Sequence, residues 1–150
     1  MVKSPRVFLA DSGLACHLLG IESAAELAKS PFLGALFEGF IAAEIVKAQV
    51  NRSKRPEIYF FRDEQGLEVD FLVPGAGGSI SLVECKATRT VTPAMAGPML
   101  RLAQALRKKH PNGTRVDMSL VHQAPKTPVG TRAVAPSVRA WTWQDFLDRL

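Results

Sequence analysis

The chain has 150 residues, 47% of them hydrophobic, and a formal net charge of +5. That length suits one domain with a core of its own, and the lack of an apolar run of roughly 20 residues excludes a helical membrane span. Two cysteines, Cys16 and Cys85, both in apolar or strand-like settings, exclude a disulfide framework and suit the reducing cytoplasm. Charge is unevenly spread. Residues 1–86 hold nine Lys/Arg against eleven Asp/Glu, and residues 87–150 hold ten against three. A solvated basic surface explains the second half on charge alone; a phosphate-binding surface beside an acidic cluster is the sharper alternative.

Met1-Val-Lys-Ser-Pro5 leads into Val7-Phe8-Leu9, which predicts a short strand and not the apolar stretch of a secretory leader. Asp11-Ser12 can cap a helix over 13–19, stopped by Gly20. Ser23, with Glu26 three residues on, caps a second short helix over 22–30. Adjacent Cys16 and His17 make no metal site alone, and His17 reads as structural. Residues 34–50 are the strongest helix: Phe37, Phe40, Ile41, Ile45 and Ala48 recur at three- and four-residue spacing. Glu38 and Glu44 lie inside this apolar segment. A carboxylate there needs a partner, either an arginine such as Arg62 or a cation.

Residues 57–62 predict a strand, and the Asp63-Glu-Gln-Gly66 loop turns it into a hairpin. Gly66 to Lys86 then holds two strands around the turn Pro74-Gly-Ala-Gly-Gly-Ser79. Side chains alternate faces along a strand, so Glu68 pairs in direction with Asp70, and Glu84 with Lys86. In an antiparallel hairpin the two sets meet only if paired residue numbers add to an even total. A sum of 154 sets Asp70 opposite Glu84 and Glu68 opposite Lys86. Facing carboxylates repel, so such a cluster calls for a cation. Lys86 supplies one, and oxygen-only ligands would suit Mg²⁺ or Mn²⁺ better than zinc. Arg62, at a strand end, faces either Glu68 or a substrate phosphate.

After a loop over 87–93, Met95, Met99, Leu102 and Leu106 mark a helix to about Lys109, started or kinked near Pro98. Residues 114–121 are the next strand, parallel to the strand of Glu84 because the connection is long enough to cross over the sheet. His122 at its end reads as structural. Residues 124–136, with Lys126 and Arg132, read as an irregular loop; 138–141 as a last strand; and 143–150 as a helix capped by Thr142. Trp141 and Trp143 read as core anchors. Arg107, Lys108 and Lys109 form a basic run suited to phosphate contacts. The chain contains neither G-x-x-x-x-G-K-[ST] nor G-x-G-x-x-G.

Asp…Glu-x-Lys on adjacent strands after a helix bearing a glutamate resembles the PD-(D/E)XK nuclease motif, here Asp70, Glu84, Lys86 and Glu38. Five blocks in order resemble the domain called DUF4143: Arg6-Val-Phe-Leu-Ala-Asp-Ser-Gly-Leu14, Leu36-Phe-Glu-Gly-Phe-Ile-Ala-Ala-Glu44, Tyr59-Phe-Phe-Arg62, Glu68-Val-Asp-Phe71 and Val83-Glu-Cys-Lys86. The resemblance implies an α/β, restriction-endonuclease-like fold, a central mixed sheet flanked by helices, with residues 1–150 as one domain. It implies that the chain is the C-terminal part of a longer AAA+ ATPase or a standalone version of that part. It further implies Mg²⁺- or Mn²⁺-dependent hydrolysis of DNA. Asp70, Glu84 and the Cys85 carbonyl would hold the ion, Glu38 would complete its shell, Lys86 would stabilise developing charge, and Glu44 would be left as a structural pair. The alternative is a nuclease-like fold without catalysis, docked to an ATPase.

Overall fold

The computed structural model describes residues 5–109, 113–124 and 132–150. Six strands form one mixed sheet in the order β1-β2-β3-β4-β6-β5. β1 (Tyr59–Arg62), β2 (Glu68–Pro74) and β3 (Ile80–Lys86) are an antiparallel meander, as expected from their turn residues. β4 (Val116–His122) lies parallel to β3, and β6 (Val138–Thr142) parallel to β4. β5 (Arg132–Ala135) pairs antiparallel with β6. This last strand corrects the expected irregular loop. Four residues are too few to display an alternating pattern, and it is backbone pairing to β6 that holds them extended. Lys126 and the rest of 125–131 lie outside the described residues, as does the opening Met1–Ser4.

α1 (Ser12–Leu18) is capped by the Asp11 carboxylate, which accepts from the Leu14 N–H, and Gly20 follows at φ +68°. α2 (Ala24–Lys29) is capped by Ser23, whose hydroxyl accepts from the Glu26 N–H. α3 (Leu33–Asn51) is the long helix. α4 (Gly97–Lys109) begins after a 3₁₀ turn at Pro93–Ala96, so Pro98 sits in the first turn, where a missing N–H costs nothing. α5 (Trp143–Leu147) is capped by Thr142 and ends three residues before the expected Leu150. Among the described residues no helix is long and apolar enough to cross a membrane.

Helices cover both faces of the sheet. On one side α4 packs Met99, Leu102 and Ala103 onto Val69, Leu82, Met118, Leu120, Val138 and Ala140. On the other, Phe37, Ile41 and Ile45 of α3 and Phe146 of α5 pack onto Phe71, Val83, Cys85, Val121 and Trp141. Leu82 faces one helical layer and Val83 the other, as strand alternation requires. Trp143 lies edge-on to Phe40, so both tryptophans serve as anchors.

Two details position the candidate site. β2 and β3 pair as Phe71↔Val83, Leu72↔Leu82 and Val73↔Ser81, the register with the expected sum of 154. β1 pairs Tyr59 with Leu72 but Phe61 with Val69, so Asp70 and Phe71 together oppose Phe60. That extra residue is a β-bulge. It explains why Val69 and Leu72, three apart, both pack toward α4 while Phe71 turns to α3.

The expected strand at Val7–Leu9 does not form. The segment has no ladder partner, and Val7 is 89% exposed. What fixes it is Phe8, whose ring lies edge-on to Phe71 at 5.9 Å and 3.5 Å from where a Cβ on Gly39 would stand. This ring contact seats the segment against α3 and β2, and carries Arg6 to the sheet edge.

Candidate active site

The site is built from four elements: the lead-in segment (Arg6), α3 (Glu38), the bulged start of β2 (Glu68, Asp70) and the end of β3 (Glu84, Lys86). Arg6 is its central cation. Its guanidinium lies 3.1 Å from Glu38 Oε2 and 3.7 Å from Asp70 Oδ1, and it also bonds Glu68 Oε1. The same group sits over the Phe60 ring at 5.5 Å. Arg62 reaches Glu68 at 3.8 Å.

Asp70 is 5% exposed, and its Oδ2 accepts from the Cys85 N–H at 2.8 Å. This bond to the neighbouring strand fixes the carboxylate beyond the last backbone pair. Glu84 is 4% exposed; its Oε1 lies 2.7 Å from the Lys86 ammonium. Its Oε2 is buried with no hydrogen-bond partner among the described residues. A buried carboxylate oxygen without a donor costs on the order of 1–3 kcal/mol or more, so it marks a place where something is expected to bind.

Electrostatics tie these groups together. Burial raises the pKa of Glu38 above the ordinary carboxylate value, and the Asp70 charge adds to it, against Arg6 and Lys86. Burial likewise raises Asp70, opposed by the Cys85 N–H, Lys86 and Arg6. At Glu84 burial and the Asp70 charge raise the pKa, while Lys86 and, less, the Asp70 backbone N–H pull it down. Burial alone would lower Lys86, but Glu84, Asp70 and Glu38 outweigh it and hold the ammonium above its ordinary value. The Cys85 thiol is pushed well up by burial and by the three carboxylates, which makes it unreactive as a nucleophile.

Glu38, Asp70, Glu84 and Lys86, singled out from spacing and resemblance, thus form one interacting cluster. Two expectations change. Glu68 meets Arg6 and Arg62, while Lys86 turns to Glu84 on its own strand, because β2 and β3 no longer pair in register beyond Phe71. Glu38 takes Arg6 as partner in place of Arg62. Arg107, Lys108 and Lys109 are exposed in the last turn of α4, on another part of the surface. Glu44 forms an exposed-side pair with Lys47 at 2.7 Å. His17 is exposed, and His122 Nδ1 lies 2.6 Å from the Gln123 carbonyl oxygen. Among the described residues no three His, Cys, Asp or Glu side chains form a metal-binding group. Sequence reasoning missed Arg6. Its one signal was position: it opens the first of the five blocks, a lone cation ahead of three apolar residues.

No solved structure matches this chain. Proteins of Mycobacterium bovis and Mycobacterium tuberculosis, both described as uncharacterized, are each 30% identical to it over 97 residues, which is 65% of this chain and 20% of theirs. The chain therefore spans about a fifth of the length of these curated relatives. Residues 33–128, covering α3 and the sheet from β1 to β4, match the family described as Domain of unknown function (DUF4143), and the chain belongs to that family.

Proposed function

We propose that this chain is a restriction-endonuclease-like, divalent-metal-dependent phosphodiesterase acting on DNA. The observation that carries the reading is the buried, unpartnered Oε2 of Glu84, coupled to Asp70 and flanked by the Lys86 ammonium. The donor set fits a hard cation. Asp70 and Glu84 offer carboxylate oxygens, and Mg²⁺ characteristically takes one or two protein carboxylates and fills its shell with water and phosphate oxygens. Asp70 and Glu84 would hold the ion, with Glu38 completing the shell directly or through water. When bound, the ion supplies Lewis acidity toward a phosphoryl oxygen and its water.

The remaining work belongs to the chain itself. The Cys85 N–H fixes Asp70 by one oxygen and leaves the other facing Arg6. Lys86 stays charged because three carboxylates hold its proton. It spends one of three N–H donors on Glu84, leaving two for a water or a phosphate oxygen. Arg6 brings a second positive charge that suits the developing charge on a phosphoryl group.

The test is cleavage of plasmid and linear DNA by the purified chain with Mg²⁺, with Mn²⁺ and with EDTA. Asp70→Ala and Glu84→Ala should each lower metal-dependent cleavage by about 100-fold or more, and Glu84→Ala should also lose Mn²⁺ binding by calorimetry. Cleavage unchanged in both variants would overturn the assignment.

A docking domain without catalysis, serving a partner module such as an ATPase, is the second reading. It is supported by Arg6, which already neutralises Glu38, Glu68 and Asp70 as an ion-pair network. The exposed Val7, Leu18 and Phe32 and the greater length of the mycobacterial relatives agree with it. Mn²⁺ binding that depends on Glu84 decides against it.

A further inference from the structure

Away from the acidic cluster, four arginines from four separate elements ring one cleft of about 510 Å³. Arg107 comes from the last turn of α4, Arg115 immediately precedes β4, Arg139 lies on β6 and Arg149 follows α5. The cleft is separate from the carboxylates. Arg115 adjoins the Ile80↔Val116 end of the parallel strands, whereas Glu84 and Lys86 lie toward the other end. Arg139 stands two strands over from β3, roughly 10 Å away at ordinary strand spacing.

A row of exposed arginines on one helix is an ordinary solvated face. Here separate stretches of chain bring like charges to the rim of one concavity, and an anion bound there would relieve their mutual repulsion. The described lining holds one carboxylate, Asp117, which pairs with Arg115 at 3.3 Å, so four guanidinium groups face one acid and the net charge is +3. Arg149 is already ordered, its guanidinium 4.0 Å from the centre of the Trp141 ring, which lowers the entropy lost on binding.

We infer that this cleft binds the phosphate backbone of a nucleic acid, at a site distinct from the acidic cluster. Guanidinium forks match phosphate oxygens two at a time. The volume lies in the range of a ligand site and exceeds what one phosphate needs, so several successive phosphates fit better. The one indole of the lining already carries Arg149, so no free aromatic face is offered to a base and binding follows the backbone without reading sequence.

The experiment is fluorescence anisotropy of the full chain with labelled single-stranded and duplex oligonucleotides of mixed sequence. EDTA is present throughout, so the result does not depend on hydrolysis at Asp70 and Glu84. Arg107→Ala/Arg139→Ala should raise Kd about tenfold at low salt and cut the slope of log K against log salt by about 1.4–1.8. Lys29→Ala, one cation removed from α2, should leave both near wild type. Arg107→Glu/Arg139→Glu should abolish binding while circular dichroism stays unchanged. Oligonucleotide binding that ignores both double variants would overturn the proposal, as would tighter binding of tripolyphosphate than of oligonucleotide at equal phosphate concentration.

Discussion

Asp70 shows how one buried carboxylate is both costly and useful. Its folded-state pKa is raised, burial being the largest cause, so the ionised form is less favourable in the folded protein than in the unfolded chain. The sign follows by linkage. At neutral pH the folded state carries this charge at a net cost; as pH falls, the folded state takes up the proton first and the cost disappears. Asp70→Asn removes the charge while an amide oxygen can still accept from the Cys85 N–H. In metal-free buffer the variant should melt above wild type at pH 7–8, with the difference shrinking as pH falls into the ordinary carboxylate range. A variant that melts below wild type at neutral pH would show that the ion pair with Arg6 outweighs burial. The nearness of Asp70 to Glu84 was legible because the register sum holds up to Phe71↔Val83, one residue short of them; the same sum failed further on, where Glu68 and Lys86 part. Arg6 was not legible, because its position depends on Phe8 seating against Phe71 over Gly39, a contact between segments 31 and 63 residues apart that leaves no local pattern.

At the scale of elements, α3 is the hinge between sequence and site. It packs against the sheet, α1, α2 and α5 at once, so apolar residues are needed on more than one side and no clean stripe appears. Periodicity alone therefore told its existence and not which residues lie deepest. Ile41 is fully buried, while Leu18 of α1, equally apolar, is 67% exposed. Ile41→Ala should cost about 2–5 kcal/mol in a urea titration, since it leaves a cavity under the sheet. Leu18→Ala should stay within about 0.5 kcal/mol. Equal losses would mean that α1 is packed far more tightly than its exposure implies. Strand β5 was poorly legible for a related reason: an element of four residues owes its form to a neighbour, β6, and not to a pattern of its own, whereas α5 was announced by its Thr142 cap and only its end was misplaced.

The whole molecule is larger than the family match. Residues 33–128 end within the segment after β4, so they omit β5, β6, α5, α1 and the Arg6 segment. β4 would then be an exposed edge along the side where Met118, Ser119, Leu120, Val121 and His122 now pair with β6. The α4-side core would lose Val138 and Ala140, and the α3-side core Trp141 and Phe146. The carboxylates would lose the guanidinium that joins Glu38, Glu68 and Asp70. The core losses alone remove buried apolar area worth about 25 cal/mol per Å², against a net stability of only about 5–15 kcal/mol for a domain. A fragment of residues 33–128 should therefore show no cooperative thermal transition and should bind a hydrophobic dye, whereas the 150-residue chain should melt in one step. A sharp single transition from the fragment would mean that β6 and α5 are appendages, and that the core and the acidic cluster are organised by α3 and the first four strands alone.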